Sequence, residues 1–491
     1  MKAVIIGGGL GGLATAVRLS SIGWAVTLCE AGPTLGGKMN CYQEGGYTFD
    51  TGPSLITMPD VFEELYRAAG ERMEDHISLL RMDPHAEYRF ADGGRITCPA
   101  GTDEWRDIIR QVEPRDVAGF DKIHALGRKL YELSSRTFFR RSPFERPDLR
   151  GLAALRFLPV FRGWGNYAAT VAQLVRSPWL RQIYNRYPTY VGSSPYSCPA
   201  TLLIIPFLER ELGAWYVRGG LYRIVQSLVA LASRRGVDLR TNARVAAIET
   251  GNGVVSGVRL ETGDRLVADA VVMNGDVATA GALLGSGRGL GKLTDRPASR
   301  SLSGFVMLRG LRQRPAGLGH HTVLFSKDYR AEFDDLFALR RFPDDPTVYI
   351  SAPGASDTSV APPGGDALFI MANAPANAEE WTQPSIDATE RSVSEAVLRA
   401  GISVESVEAG SIWNPARLAQ TYLAPGGAIY GTHSHGWKHA FLRPPNRSRE
   451  VRGLYFVGGS THPGGGTPTV LLSAKITTDM LVSESSGRKK A

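Results

Sequence analysis

At the start of the chain, the apolar positions first form a continuous run, then recur with the period of a helix, and then form a second continuous run. Residues 3–6 are all apolar, which is typical of a parallel strand buried on both faces. The next apolar or small positions share one helical face: Leu13, Ala16, Val17 and Ser20. Gly23 ends this helix, and a second apolar run at 25–28 predicts the next strand. The pattern therefore predicts a βαβ unit that opens a parallel sheet.

Three glycines lie between the first strand and the helix. Gly7, Gly9 and Gly12 match G-x-G-x-x-G. The first permits a tight turn, the second lets the backbone approach a pyrophosphate, and the third lets the helix pack on the sheet. Glu30 follows the second strand, where its carboxylate can accept hydrogen bonds from an adenosine ribose. An acid at this position disfavours a 2′-phosphate, so the stretch predicts a dinucleotide site for a cofactor other than NADP.

A related strand–glycine–helix pattern lies near the carboxyl end, at 453–477. Residues 454–457 predict a strand, and Thr467 is expected to cap a helix whose first residue is Pro468. The amino end of such a helix favours negative charge. This region does not repeat G-x-G-x-x-G, so a nicotinamide co-substrate is not expected.

Three short segments together resemble one enzyme family. They are LGGK at 35–38, FDTGPS at 49–54 and GGSTHPGGG at 458–466. They resemble the bacterial-type phytoene desaturases, which are FAD-dependent carotenoid desaturases within the wider amine-oxidase-like flavoprotein fold. The resemblance extends over nearly the whole chain, and it implies FAD as the cofactor and a long apolar polyene as the substrate.

The resemblance also implies further cofactor contacts. Lys38 would neutralise the pyrophosphate or remain a solvated loop lysine, and the backbone of Val245 would contact the adenine. Gly458 and Gly459 would reach the pyrophosphate or the ribityl chain. The predicted FAD-binding residues are Gly7, Gly9, Gly12, Glu30, Lys38, Val245, Gly458, Gly459, Thr469 and Val470.

The expected fold class is α/β, with a Rossmann-like FAD-binding domain, a parallel sheet and a small antiparallel layer. Alternating apolar residues and the turns at 251–253 and 263–264 place that layer within 214–285. An inserted α+β domain with a helical, membrane-facing part would bind substrate. The predicted FAD-binding segments are 1–75, 214–285 and 450–482. The predicted substrate domain comprises 76–213 and 286–449, followed by a frayed tail at 483–491.

Composition narrows the possible partners and compartment. The formal net charge is +8, which favours anionic surfaces, and no nucleic-acid-binding module is recognisable. Anionic lipid is therefore the expected partner. The four cysteines are far apart and form no CxxC pair, so neither a zinc site nor a disulfide framework is expected. The expected location is the cytoplasm, peripherally associated with the inner face of the cell membrane.

One strongly basic segment, residues 136–165, carries this membrane hypothesis. It holds seven arginines against one glutamate and one aspartate, interleaved with Phe, Leu and Trp. One interpretation is a solvated helical lid whose arginines keep their charged heads in water. The other is a surface that docks on an anionic membrane.

Desaturation removes two hydrogens from a carbon–carbon bond, and no side chain can accept a hydride. The flavin would accept it, and oxygen or a quinone would then take the electrons. A base would remove the remaining proton, and the candidates are His433, His435 and His321. A histidine in such a glycine-rich loop is more often bonded to backbone. No metal is expected, because the histidine spacing fits no usual ligand pattern.

Several activities remain open within the family that the chain resembles. The main hypothesis is the introduction of double bonds into phytoene, diapophytoene or a partly desaturated carotenoid. GGAIYGTHSHGW at 426–437 also resembles enzymes that oxidise terminal methyl groups or desaturate hydroxycarotenoids at the 3,4 position. A flavin-dependent isomerase and a flavin-free escort protein of the same fold are further alternatives.

Overall fold

A computed structural model of the chain describes residues 1–142, 165–285, 296–404 and 406–488, with side chains to residue 485. Its strands are β1 (Lys2–Ile6), β2 (Ala25–Cys29), β3 (Cys41–Glu44), β4 (Tyr47–Asp50), β5 (Leu79–Arg81), β6 (Ala86–Arg89), β7 (Arg95–Cys98), β8 (Trp215–Val217), β9 (Asp238–Arg240), β10 (Val245–Gly251), β11 (Val254–Leu260), β12 (Arg265–Val267), β13 (Ala270–Met273), β14 (Ser303–Leu311), β15 (His321–Leu324), β16 (Val348–Ser351), β17 (Asp366–Ala374), β18 (Val407–Trp413) and β19 (Leu454–Phe456).

The same ranges contain helices of one to six turns. They are α1 (Leu10–Ser21), α2 (Pro59–Ala68), α3 (Thr102–Val112), α4 (Val117–Arg136), α5 (Tyr167–Leu174), α6 (Pro178–Arg186), α7 (Ile204–Leu212), α8 (Tyr222–Arg234), α9 (Ala280–Leu283), α10 (Tyr329–Asp334), α11 (Gln383–Arg399), α12 (Pro415–Tyr422), α13 (Gly436–Phe441) and α14 (Thr467–Arg488).

A five-stranded parallel sheet has the strand order β19-β13-β1-β2-β9. The central strand β1 is continuously apolar because both of its faces are covered by other elements. Leu13, Ala16 and Val17 of α1 are fully buried against this sheet, as the periodicity predicts. The predicted order of strand, helix and strand is confirmed, and so is the α/β fold class.

The small antiparallel layer is also present, as β10, β11 and β12. Asn252 and Gly253 join β10 to β11 with φ angles of 51° and 73°. Two successive left-handed residues suit the two-residue turn whose twist matches a hairpin. The predicted turn at 251–253 therefore forms the hairpin that the alternating pattern required.

A seven-stranded mixed sheet, in the order β18-β14-β17-β16-β15-β6-β7, forms the second layer of the molecule. Strands β14 and β17 pair over nine residues, from Ser303 opposite Ala374 to Leu311 opposite Asp366. Strands β5 and β8 form a separate two-stranded sheet, and Ile56 bridges Trp215 at the start of β8. The division into FAD-binding and substrate domains at the predicted boundaries stays a prediction.

The basic segment and the carboxyl-terminal tail are only partly covered by the described residues. Residues 143–164 of the basic segment 136–165 lie outside the described residues. Helix α14 continues to Arg488, so the start of the predicted frayed tail is helical. Tyr455 holds this end by donating a hydrogen bond of 2.7 Å to Glu484. Within the described ranges, no helix is long and apolar enough to cross a membrane.

The packing of the parallel sheet predicts the effect of truncating its buried side chains. Leu28 in β2 is fully buried, whereas Val267 in β12 is 74% exposed. We expect Leu28→Ala to lower the free energy of unfolding by about 2–5 kcal/mol, because a cavity replaces the lost contacts. Val267→Ala should change it by less than about 0.5 kcal/mol. Urea unfolding measures both, and equal effects would contradict this description of the core.

Candidate cofactor site

The turn after β1 brings the start of α1 very close to the strand. Gly7 has a φ of 98°, in the region that favours glycine. A Cβ atom at Gly12 would lie 2.1 Å from the carbonyl oxygen of Gly7. Any side chain at Gly12 would therefore push the helix away from the turn, as the predicted role of the third glycine requires.

The amino end of α1 is open to an anion. Its N-cap is Gly9, which provides no capping side chain, and the first turn contains no acidic residue. The first backbone N–H groups of a helix lack partners within the helix and carry partial positive charge. This arrangement suits a pyrophosphate.

A second helix begins beside the first. Helix α14 starts at Thr467, so Thr467 is its first residue rather than the predicted N-cap. The Thr469 hydroxyl instead satisfies the preceding loop by donating to the carbonyls of Gly465 and Gly466, each at 2.8 Å. A Cβ atom at Gly11 would lie 3.1 Å from Cγ1 of Val470. The amino ends of α1 and α14 therefore meet at one place.

Asn274 lies where the amino ends of α1 and α14 meet, and the sequence analysis did not predict it. It follows β13, and its side-chain amide donates to the carbonyl of Gly7 at 3.1 Å. Side-chain atoms of Asn274 lie within 3.2 Å of the Cβ positions of Gly9, Gly11, Gly12 and Gly458. A polar residue directly after a buried parallel strand was the available signal, since ligands bind at that edge of such sheets.

Glu30 is held in place by the backbone of the neighbouring loops. Its two carboxylate oxygens accept hydrogen bonds from the N–H groups of Gly8, at 2.7 Å, and Gly32, at 2.8 Å. A carboxylate oxygen can accept a second bond, so ribose hydroxyls can still bind. Val245 is buried at the start of β10, two residues after Ala243, whose N–H donates to the Glu30 carbonyl.

The loop after Glu30 crosses the glycine turn and reaches the other layer. Gly36 donates its N–H to the carbonyl of Gly8 at 2.8 Å. The Lys38 ammonium donates to the carbonyls of Ala428 and Ile429, at 3.2 and 2.5 Å. Burial lowers the Lys38 pKa, and the charge of Asp276 partly opposes that shift. Lys38 is therefore not a solvated loop lysine, and its contact with the pyrophosphate stays a prediction.

A buried arginine fixes the glycine loop after β19. Arg443 donates from Nη1 to the carbonyls of Tyr430 and Gly459, both at 3.2 Å. From Nη2 it donates to the carbonyl of Thr432 and the hydroxyl of Ser434. Burial lowers the Arg443 pKa to about 10, so the group stays charged at neutral pH. Its partners are mostly backbone carbonyls, which leave no recognisable pattern in the sequence.

The histidines His433 and His435 are stacked, with ring centroids 3.9 Å apart. His433 accepts from the N–H of His435 and donates to the carbonyl of Ala298, and His435 accepts from the N–H of Ser194. Burial lowers their pKa values to about 4 and about 3. Both rings are therefore neutral and hydrogen-bonded to backbone groups, as expected of histidines with a structural rather than a catalytic role.

His321 lies in a different environment, at the start of β15. Its Nδ1 is 2.8 Å from the hydroxyl of Tyr349, which in turn is 2.5 Å from the hydroxyl of Ser54. Burial, followed by the neighbouring His320, lowers the His321 pKa well below its ordinary value. No group of His, Cys, Asp and Glu side chains within the described ranges is arranged to hold a metal ion.

The glycine turn, two converging helix ends and the Glu30 carboxylate fit FAD, because they present donors to a pyrophosphate and acceptors to a ribose. They define a dinucleotide-binding protein. The model of one family, described as flavin containing amine oxidoreductase, matches residues 10–481. The chain belongs to this family and is an FAD-dependent oxidoreductase.

Relatives with assigned activities cover almost the whole chain. A 4,4′-diapolycopene oxygenase from Methylomonas sp is 33% identical, over 98% of each chain. A zeta-carotene-forming phytoene desaturase from Myxococcus xanthus is 34% identical, over 98% of this chain and 94% of its own. A 1-hydroxycarotenoid 3,4-desaturase from Flavobacterium sp. is 34% identical, over 98% and 99% respectively.

Solved structures of lower identity share the fold. An oxidoreductase from Methanosarcina mazei has a TM-score of 0.64 at 17% identity, covering 99% of this chain and all of that one. Cyclohexylamine oxidase from Brevibacterium oxydans has a TM-score of 0.60 at 17% identity, covering 98% and 99%. These likenesses support the fold class and carry no information about substrate.

The contact between Gly12 and Gly7 predicts a cofactor-binding defect. We expect Gly12→Ala to lose most of its bound flavin, because the added methyl group displaces the amino end of α1. Gly251→Ala is the matched control, since a Cβ atom there meets nothing within 4 Å. Visible flavin absorbance per purified chain measures the result. Full flavin content in Gly12→Ala would contradict the predicted site.

The hydrogen bonds of Glu30 predict that loss of its carboxylate weakens FAD binding without abolishing it. Glu30→Ala removes the acceptor for Gly8 and for the ribose, and a hydrogen bond to a charged group contributes about 1.5–3 kcal/mol. FAD should therefore bind roughly 10- to 100-fold more weakly. Titration of the apoprotein with FAD measures this. Glu261→Ala, an acid on the exposed side of the antiparallel layer, should leave the affinity unchanged.

The histidine pair predicts a loss of stability in acid. In the unfolded chain these histidines take up protons below about pH 6.5, whereas in the folded chain they resist until about pH 4 and pH 3. Stability is therefore complete above pH 6.5 and falls as the pH decreases towards 4. The thermal midpoint of His435→Gln should fall less steeply over that range. An unchanged slope would contradict the burial of a neutral ring.

Proposed function

We propose that the protein is an FAD-dependent carotenoid desaturase that introduces double bonds into phytoene, diapophytoene or a partly desaturated carotenoid. The observation that carries the proposal is the similarity to carotenoid desaturases and oxygenases over almost the whole chain. The chain also has the glycine turn after β1 that suits FAD. The proposed domain division and the predicted FAD contacts are part of it.

Bound FAD would supply the hydride acceptor that amino-acid side chains cannot provide. The protein must then align one carbon–carbon bond, exclude water and remove a proton. A hydrocarbon offers no polar group to bind, so selection depends on the length and shape of an apolar channel. A methylene group contributes only about 1–3 kcal/mol to such selection. We therefore expect the enzyme to accept neighbouring polyenes.

We propose that the proton leaves through Ser54, Tyr349 and His321. Their side chains form a continuous hydrogen-bonded series from the loop at 49–54 to β15. That loop abuts the cofactor-binding loop, since a Cβ atom at Gly52 would lie 1.8 Å from the carbonyl oxygen of Lys38. His433 and His435 are less suitable, because both ring nitrogens of His433 and Nε2 of His435 are already hydrogen-bonded to backbone groups.

Terminal oxidation is the second candidate. A relative named as a diapolycopene oxygenase is 33% identical, and one named as a hydroxycarotenoid desaturase is 34% identical. These values are too similar to separate the activities. For either activity, the proposed electron acceptor is oxygen or a quinone. The proposed location is the inner face of the cell membrane, where an apolar substrate dissolves.

Incubation with defined carotenoids tests the proposed function. The FAD-loaded enzyme should convert phytoene or neurosporene-type substrates into products with longer conjugation, read by absorbance and mass. An aldehyde or hydroxyl product would instead support terminal oxidation. A change of double-bond geometry without consumption of oxygen or quinone would support an isomerase, and would contradict the proposal.

The hydrogen-bonded series predicts a defect in turnover. Tyr349→Phe interrupts the path between Ser54 and His321, so kcat should fall by about 100-fold, the lower end for a lost proton transfer. KM and FAD content should stay near those of the unmodified protein. Tyr66→Phe is the matched control, because its hydroxyl pairs with Ser227 at 2.7 Å elsewhere in the core. Unchanged kcat in Tyr349→Phe would contradict the proposed path.

A further inference from the structure

We propose that α13 and the residues that follow α4 form a docking face for the surface of an anionic lipid bilayer. The docking face consists of Arg136, Arg140, Trp437, Lys438 and Leu442. It rests on the proposed location at the membrane, and it adds α13 to the membrane hypothesis, whose basic segment 136–165 already contains Arg136 and Arg140. Its assignment rests on exposure, charge and contacts, and it does not depend on the reaction catalysed.

Two large apolar side chains of the docking face are exposed to solvent. Trp437 is 51% exposed and Leu442 is 45% exposed, at the two ends of α13. Trp437 is the one aromatic side chain of this exposure within the described residues. Exposed apolar surface is unfavourable in water, and tryptophan is enriched where a protein meets the headgroup region of a bilayer.

Exposed basic side chains lie on the stretch of chain that carries these anchors and on the stretch at the end of α4. Lys438 is exposed, and its ammonium lies 6.0 Å from the centroid of the Trp437 ring. Arg136 and Arg140 are also exposed. Neither 133–142 nor 431–449 contains an aspartate or a glutamate. Basic side chains beside an apolar anchor are attracted to anionic lipid and stay in the headgroup layer.

The two stretches belong to one surface because an aromatic contact joins them. The rings of Phe138 and Phe441 meet edge to face, with centroids 6.0 Å apart. Phe138 lies between Arg136 and Arg140, and Phe441 directly precedes Leu442. The apolar anchors and the arginines are therefore carried on neighbouring elements.

The docking face also connects to the cofactor site. The carbonyl of Phe138 accepts a hydrogen bond of 2.8 Å from Nε2 of His462, in the glycine loop at 458–466. Arg443, next to Leu442, donates to the carbonyl of Gly459 in the same loop. A bilayer bound at this face would lie beside the loop that is predicted to contact FAD. That position gives a lipid-dissolved substrate a short route to the site.

Vesicle co-sedimentation of the FAD-loaded full chain tests the proposal. The unmodified protein should bind vesicles that contain phosphatidylglycerol, bind pure phosphatidylcholine vesicles weakly, and dissociate as salt increases. Trp437→Ala combined with Leu442→Ala should weaken binding about tenfold or more, because both apolar anchors are lost. Lys438→Ala combined with Arg140→Ala should weaken binding to the anionic vesicles.

The matched control removes two apolar side chains of similar exposure elsewhere. Leu398→Ala combined with Val267→Ala changes residues that are 68% and 74% exposed, and it should bind as the unmodified protein does. Flavin content and thermal midpoint show whether each variant is folded. Unchanged binding of a folded Trp437/Leu442 variant would overturn the docking face. Equal binding to both vesicle types would overturn the assignment to anionic lipid.

Discussion

The approach of Gly12 to the carbonyl of Gly7 is the contact on which the cofactor site depends. A separation of 2.1 Å from a Cβ position leaves no room for any side chain, so α1 can begin directly over the end of β1. This approach places Gly11 against Val470 and so brings the amino end of α14 beside that of α1. Asn274 then fills the space between them. The close approach of Gly12 to Gly7 thus positions the amino ends of α1 and α14 and the side-chain amide of Asn274.

Two basic side chains in this region, Lys38 and Arg443, are bound by backbone carbonyls. A carbonyl oxygen accepts a hydrogen bond without neutralising the donor, and Arg443 stays charged at neutral pH because its pKa is about 10. The histidines nearby are kept neutral by burial. The site therefore keeps positive charge beside the predicted pyrophosphate.

The sequence predicted the local parts of this arrangement better than the distant ones. The apolar runs, the glycine spacing and Glu30 identified β1, α1 and β2, because each depends on residues close together in the chain. The partners of Lys38 were not predictable, since Ile429 lies 391 residues further along. Arg443 was missed because backbone carbonyls carry no sequence signal. Thr467 was misplaced by one residue because the carbonyl of Gly466, not of Thr467, accepts the first hydrogen bond of α14, from the N–H of Val470.

The same physical distinction explains why the cofactor can be predicted from the sequence more easily than the substrate. A pyrophosphate and a ribose require donors and acceptors at fixed points, so few residues determine their binding, and those residues form motifs. A polyene requires only an apolar space of suitable length, and many combinations of side chains can provide it. One oxygenase and one desaturase are accordingly 33% and 34% identical to this chain. We expect the two activities to differ in the shape of that apolar space and in the proposed proton route through Tyr349 and His321.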